Sequence, residues 1–190
     1  MPISENQREA VILEAAMIAF SRYGYSRTKM DDIAQASGIA RTALYKVYRN
    51  KEHIFRALAE QVHTEALAAA QAALCGDEDF LVRLPNALIA RDTHLLMIGH
   101  TGPHADEIAE LYLSLAGDLA KRFNSQFVDD MSEAIERARK SNVFELPKIY
   151  HSAHDLAHLL RLALEGVKSE VKSVEAFERL ARQLIAAMIS

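Results

Sequence analysis

Residues 30–48 read MDDIAQASGIARTALYKVY and constrain the fold more than any other stretch of the chain. Two short apolar-periodic segments flank a glycine. Ile33, Ile39, Leu44 and Val47 have the spacing to fill the inner angle between two crossing helices. Ala34 is small where such helices would touch. Gly38 supplies the left-handed backbone that a tight turn requires. These are the local demands of a helix-turn-helix. An ordinary helical hairpin would make the same apolar contacts, but it would not account for the polar residues opposite them. Arg41, Thr42, Tyr45 and Lys46 project away from the apolar set. Side chains of these types donate to guanine edges, touch thymine methyls and bind phosphates. Lys51 follows at the start of the next helix, where the helix dipole does not favour a cation. A phosphate placed there would satisfy both the lysine and the free backbone amides.

Around this segment the periodicity is helical throughout, and no stretch alternates with period two over a strand's length. A first helix is expected over residues 4–23, with Leu13, Ala16, Met17 and Phe20 on its buried stripe and Gly24 ending it. Thr28 is placed to cap the second helix, with Asp31 three residues on. Gly38 ends that helix, and a third covers residues 41–48. Asn50 caps a long fourth helix buried through Ile54, Phe55, Leu58 and Val62. Asp77 caps a helix running from residue 78 into the nineties, and residues 99–103 form a break. Two further helices meet near Gly117 and reach residue 140. After a loop at Pro147, the last two helices cover residues 149–168 and 173–189. The prediction is an all-α chain of about nine helices. It comprises a three-helix DNA-binding domain over residues 1–50 and a helical effector-binding and dimerisation domain over residues 51–190.

Charge supports that division. The whole chain carries −4, which by itself argues against nucleic acid. Residues 1–60 hold nine Lys/Arg against seven Asp/Glu, and residues 27–56 hold seven against three. A basic head on an acidic remainder is what phosphate binding at one end requires. The single cysteine, Cys75, excludes an intramolecular disulfide and any multi-cysteine zinc site. No apolar run approaches the roughly 20 residues that span a bilayer. Glu5, Arg8, Glu9 and Glu14 break any signal-peptide core, so a cytoplasmic protein without membrane association is expected. No P-loop, nucleophile elbow, dinucleotide loop or HExxH pattern occurs, so neither an enzyme nor a cofactor is expected.

The run GYSRTKMDDIAQASGIARTALYKVYRNKEHIFRAL, residues 24–58, closely resembles the DNA-binding head of the tetracycline-repressor (TetR) family. Gly24, Thr28, Ile33-Ala34, Ser37-Gly38-Ile39, Leu44-Tyr45, Tyr48 and Lys51-Glu52 carry the resemblance. It implies a homodimeric transcriptional regulator that binds double-stranded operator DNA, usually a repressor released by a small ligand. It further implies that Arg41 and Thr42 read base edges, that Tyr45 and Lys51 contact phosphates, and that Lys29 approaches the backbone. Tyr48 would pack inward. With Thr28 and Lys46, these form the candidate DNA-binding set. Val47 departs from the family's pattern, which commonly places histidine or another polar residue there, and so removes one phosphate contact.

Beyond residue 60 the resemblance is architectural. In the last helix, Phe177, Leu180, Ala181, Leu184, Ile185 and Met188 form one apolar stripe. In the helix before it, Leu156, Leu159, Leu160, Ala163 and Val167 form another. Both are expected at a homodimer interface; the same stripes could instead close the monomer's own core. His151, His154 and His158 lie on the opposite side of that helix, with Leu162 continuing their face, which is expected to look into the interior or its entrance. Candidate contacts for a mostly apolar effector are His94, Met97, Ile98, Tyr112, Phe127, Met131, His158 and Leu162, with His100 a further polar anchor. Two alternatives stand beside a ligand-released repressor. One is a helix-turn-helix regulator or adaptor without an effector. The other is a metal-responsive regulator using His151, His154 and His158.

Overall fold

A computed structural model describes residues 4–99 and 103–190, with the side chains of 97–99 left out. The described residues form nine α-helices and no strand. They are α1 (Glu5–Tyr23), α2 (Met30–Ser37), α3 (Arg41–Val47), α4 (Lys51–Leu74), α5 (Phe80–Gly99), α6 (Ala105–Leu115), α7 (Gly117–Lys140), α8 (Ala153–Glu170) and α9 (Val174–Ile189). Among these residues no helix is long and apolar enough to cross a membrane. The expected fold class therefore holds.

The chain divides into two compact units. The first comprises residues 1–62 with 99–119, and the second residues 63–98 with 120–190. The expected boundary at residue 50 is absent. Instead α4 is one continuous helix whose first half belongs to the first unit and whose second half belongs to the second. α6, expected among the effector-binding helices, belongs to the first unit.

In the first unit, Ser4 opens α1 with a capping box: its hydroxyl accepts from the Gln7 amide, and the Gln7 side chain accepts from the Ser4 amide. Ile12, Ala16, Phe20, Ile33, Leu44 and Ile54 are buried at the centre. Each large apolar side chain removed from water in this way contributes about 1.5–3 kcal/mol. The first helix turns slightly from expectation. Met17 is 40% exposed, and Ile12 and Ala19 take its share of the buried stripe. Gly38 has φ +67° and its amide donates back to the Ala34 and Gln35 carbonyls, the left-handed ending the sequence called for. Asn50 caps α4 as expected, its side-chain oxygen accepting from the His53 amide at 2.9 Å. On α6, Ile108, Leu111, Tyr112 and Leu115 pack against this same core. Arg56 holds α6's end, donating to the Leu115 carbonyl and bidentately to Asp118 at 2.8 and 2.7 Å.

The second unit contains the remainder of α4, most of α5, α7 after its first residues, and α8 and α9. α5 begins at Phe80 rather than residue 78, because the Asp79 side chain, not Asp77, accepts from the first-turn amide of Leu81. Asn142 ends α7 in a left-handed conformation at φ +56°, which asparagine tolerates better than most residues. The Ser152 and Ser173 hydroxyls cap α8 and α9 at 3.0 and 3.2 Å. Leu84, Leu88, Ile135, Leu156, Leu160, Leu164, Phe177 and Ile185 are fully buried.

Candidate DNA interface

α3 presents two faces. Leu44 points inward with no exposure, and Tyr48 just beyond is 9% exposed. Arg41, Thr42, Tyr45 and Lys46 all face outward. Lys29 is also exposed, at the residue that caps α2. The first unit therefore brings five of the seven predicted DNA-binding residues to its surface.

The other two are turned inward, for the same physical reason: each satisfies backbone carbonyls of the turn between α1 and α2. Thr28 is 2% exposed, and its hydroxyl donates to the Gly24 carbonyl at 2.7 Å. It neither caps α2 nor offers its hydroxyl to a phosphate. The cap belongs to Asp32, not Asp31: the Asp32 carboxylate accepts from the Lys29 amide at 2.7 Å. Lys51 donates its ammonium to the Tyr25 carbonyl and, at 2.9 Å, to the Thr28 carbonyl. It also sits 4.1 Å from the centre of the Tyr25 ring. Burial pulls its pKa down while Glu107 opposes that effect. The lysine that looked misplaced at a helix N-terminus is thus a clamp on the preceding turn.

A second clamp was not foreseen. Glu107, on α6, accepts from the Ser26 amide at 2.8 Å. Hydrogen bonds from Ser26 hold its pKa below the ordinary carboxylate range. Gly24 makes this approach possible. It has φ +84°, and a Cβ there would lie 2.5 Å from the Glu107 carboxylate. Arg56 similarly holds the Asp118 pKa down to about 2. The turn that leads into the DNA-facing helices is therefore gripped by α4 and α6 together.

Arg41 is itself engaged. Its Nη1 donates to the Asp31 carboxylate, and its guanidinium lies 5.5 Å from the centre of the Tyr45 ring. The pair is exposed, 63% on Arg41 and 54% on Asp31.

The second unit rearranges the other predictions. Along α8 the core face runs through Leu156, Ala157, Leu160 and Leu164, so the buried stripe is rotated from the expected one. Leu156 and Leu160, with Phe177, Ala181 and Ile185 of α9, are fully buried inside the unit and cannot form an interface without unfolding it. Leu159 and Leu180 remain 39% and 37% exposed, and Ala163, Val167, Leu184 and Met188 are half-buried.

His151, His154 and His158 face outward rather than inward, and Leu162 is 46% exposed. His158 and Leu162 therefore do not line an interior. His154 and His158 stack 6.3 Å apart, and His154 approaches Asp129 at 3.9 Å. Among the described residues no three His, Cys, Asp or Glu side chains converge to hold a metal ion. Phe127 and Met131 are 1% exposed and sit in the core of this unit. Tyr112 belongs to the first unit, packed on the helix-turn-helix core. His94 is half-buried, 3.2 Å from Glu65. The side chains of Met97 and Ile98, and all of His100, lie outside the described residues. A cleft of about 380 Å³ lies elsewhere in the second unit, lined by Leu81, Phe144, Pro147 and Ile189 among others.

What sequence reasoning missed is a buried polar cluster. Arg91 and Asp92 are each 1% exposed and paired at 3.0 Å. Arg91 also donates to Asn124 and lies 4.4 Å from the centre of the Phe127 ring. Lys168 approaches the same Asp92 oxygen at 3.2 Å and Glu165 at 2.9 Å. His63 stacks on Phe123 at 5.0 Å. Burial, reinforced by Arg91, Lys168 and Arg122, pushes its pKa down to about 4. The other oxygen of Asp92 and the Thr93 hydroxyl are buried without a hydrogen-bond partner. The signal was present as two charges, Arg91-Asp92, inside an apolar helix.

Residues 12–58 match the model of the bacterial regulatory proteins of the tetR family. TtgR, an HTH-type transcriptional regulator of Pseudomonas putida, is 28% identical over 142 residues, covering 75% of this chain and 61% of TtgR. A solved Rhodococcus sp. protein described as a TetR-family transcriptional regulator superposes with TM-score 0.71. The alignment covers 97% of this chain and all of that one, at 18% identity. Residues 12–58 thus carry the family's N-terminal segment, and the chain shares its fold with TetR-family structures.

TetR-family regulators are transcription factors without enzymatic activity. SmeT, the repressor of the Stenotrophomonas maltophilia multidrug efflux pump SmeDEF, shares the fold at TM-score 0.67 and 20% identity, covering 94% of this chain and 88% of SmeT. SmeT has also been solved as a complex with triclosan. The chain spans between 50% and 61% of the length of curated relatives such as TtgR.

Proposed function

We propose that this chain is a homodimeric DNA-binding transcriptional regulator of the TetR type, a repressor released from its operator by a mostly apolar small molecule. One observation carries the DNA-binding part. α3 buries Leu44 and exposes Arg41, Thr42, Tyr45 and Lys46 together, a set that can read base edges and bind phosphates. A two-fold operator then calls for a two-fold protein. Leu159 and Leu180, the exposed leucines of the predicted stripes, are the residues we assign to the dimer contact.

The effector part rests on relatives. TtgR is an HTH-type transcriptional regulator, SmeT is the repressor of a multidrug efflux pump, and SmeT was solved as a complex with triclosan. In this chain the unpartnered Asp92 oxygen and Thr93 hydroxyl replace His158 as polar anchors. Arg91, which is paired with Asp92, lies over the apolar ring of Phe127.

The test is selection of duplexes from a random 30-base-pair library with the purified chain, followed by titration of the selected consensus. The expected result is a two-fold-symmetric consensus bound more tightly than bulk duplex by a factor of about 10³ or more. Recovery of no consensus, or equal affinity for unrelated duplex, would overturn the proposal.

A further inference from the structure

Asp31 occupies a position the functional reading leaves unexplained. It is an acidic side chain on the face that should meet phosphates, and it does not serve as the cap of α2, because Asp32 does. Its carboxylate accepts from Nη1 of Arg41 across the α2–α3 turn, while the Tyr45 ring lies against the same guanidinium at 5.5 Å. Arg41 is the first residue of α3 and Asp31 the second of α2, so the pairing is set by the helix-turn-helix itself and by the left-handed Gly38. An arginine otherwise carries substantial rotamer entropy, much of which is lost on fixing its fork against a base. Here a carboxylate on one side and a ring on the other already restrict it. The contact uses Nη1, leaving the Nε and Nη2 edge to face a guanine's two acceptors.

We propose that Asp31 is a positioning residue for base readout: it holds Arg41 in the orientation that reads a guanine, while its charge weakens binding to every duplex. The inference rests on the reading of α3 as the recognition helix. Two consequences separate this role from a merely stabilising ion pair. Ordering the fork beforehand raises affinity only where the guanine is present. The negative charge opposes phosphate at every sequence alike. Removing Asp31 should therefore lower discrimination at one base pair while tightening non-specific binding. A pair that only stabilised the fold would change all duplexes by one factor and lower the melting temperature.

The probes are the consensus duplex selected by the native chain, the same duplex substituted at each base pair in turn, and an unrelated duplex, at two salt concentrations. Arg41→Ala first identifies the base pair at which Arg41 acts. Asp31→Ala is then expected to lower discrimination at that pair by about two- to tenfold, the range that corresponds to ordering one long side chain. It is also expected to tighten binding to the unrelated duplex. Asp31→Asn, which keeps an acceptor oxygen without the charge, should retain part of the discrimination. In the Arg41→Ala background, Asp31→Ala should cost no further discrimination. Equal change at every duplex in Asp31→Ala, with Arg41→Ala still selective in its effect, overturns the positioning role and leaves the recognition helix standing. No selective effect of Arg41→Ala overturns the reading of α3 itself.

Discussion

The two units spend their charges in opposite ways. The first buries apolar side chains and keeps Lys29, Arg41 and Lys46 in water, with Lys51 turned back onto carbonyls of its own fold. The second buries Arg91 and Asp92 almost completely and leaves Leu159, Leu162 and Leu180 exposed. A charged side chain is cheap to keep at a surface, where it is available to a charged partner. A buried charge is costly and persists only where its neighbours satisfy it. The first unit is thus built to meet an anion from outside. The second is held by polar contacts joining α5 to α7 and α8, and it presents apolar surface to whatever covers it.

The largest test of this contrast lies in the buried pair. Asp92→Ala removes the buried carboxylate that pairs with Arg91 and Lys168, and denaturant unfolding should show a loss of about 3–5 kcal/mol. An exposed pair such as Asp31–Arg41 should contribute no more than about 1 kcal/mol by the same measurement. A loss below that value in Asp92→Ala would erase the distinction between the units.

At the operator, Arg41→Ala should weaken consensus binding by about 1–3 kcal/mol and relax one base position, as read by titration against substituted duplexes. Lys46 and Lys51 sharpen the comparison within the first unit. Lys46→Ala should leave stability unchanged and lower the salt dependence of DNA binding by about one phosphate's worth. Lys51→Met should instead destabilise by about 1–3 kcal/mol, since it strips the donor from the Tyr25 and Thr28 carbonyls, and should leave the salt slope nearly unchanged.

Exposed leucines make a further test. Leu159→Glu combined with Leu180→Glu should shift sedimentation from dimer to monomer while the helical circular dichroism persists. A dimer unaffected by both would place the interface elsewhere.

The last test is of pH dependence. His63 has its pKa lowered from 6.5 to about 4 in the folded chain, so the unfolded chain binds more protons between those values. Stability from this group is complete above pH 6.5 and declines as pH falls toward 4. His63→Phe should flatten that part of the profile in thermal melts at several pH values.

Much of the first unit was legible because its signals are local. Gly38 and Ala34 report a tight turn, and Leu44 with Tyr48 reports which way α3 faces. Each depends on neighbours a few residues away. The intramolecular bonds of Thr28 and Lys51 were not legible, because a polar residue has two uses and, for Lys51, the partner is a carbonyl over twenty residues off. In α8 the periodicity was right and the phase was wrong. Leu156, Leu159, Leu160 and Ala163 form a broad apolar arc, and periodicity alone does not say which edge of it is the core.

By itself, then, the sequence determined an all-helical chain, the helix-turn-helix and the outward set on α3. These follow from backbone propensity and from the 3.6-residue repeat, which act within a helix or across one turn. The tertiary structure alone decided that α6 joins the DNA-binding core, that Glu107 and Lys51 grip its turn, and that Arg91 and Asp92 are interior. Those outcomes depend on which surfaces come together between distant segments. An arginine reads the same in a sequence whether it will meet water, a carboxylate or a guanine.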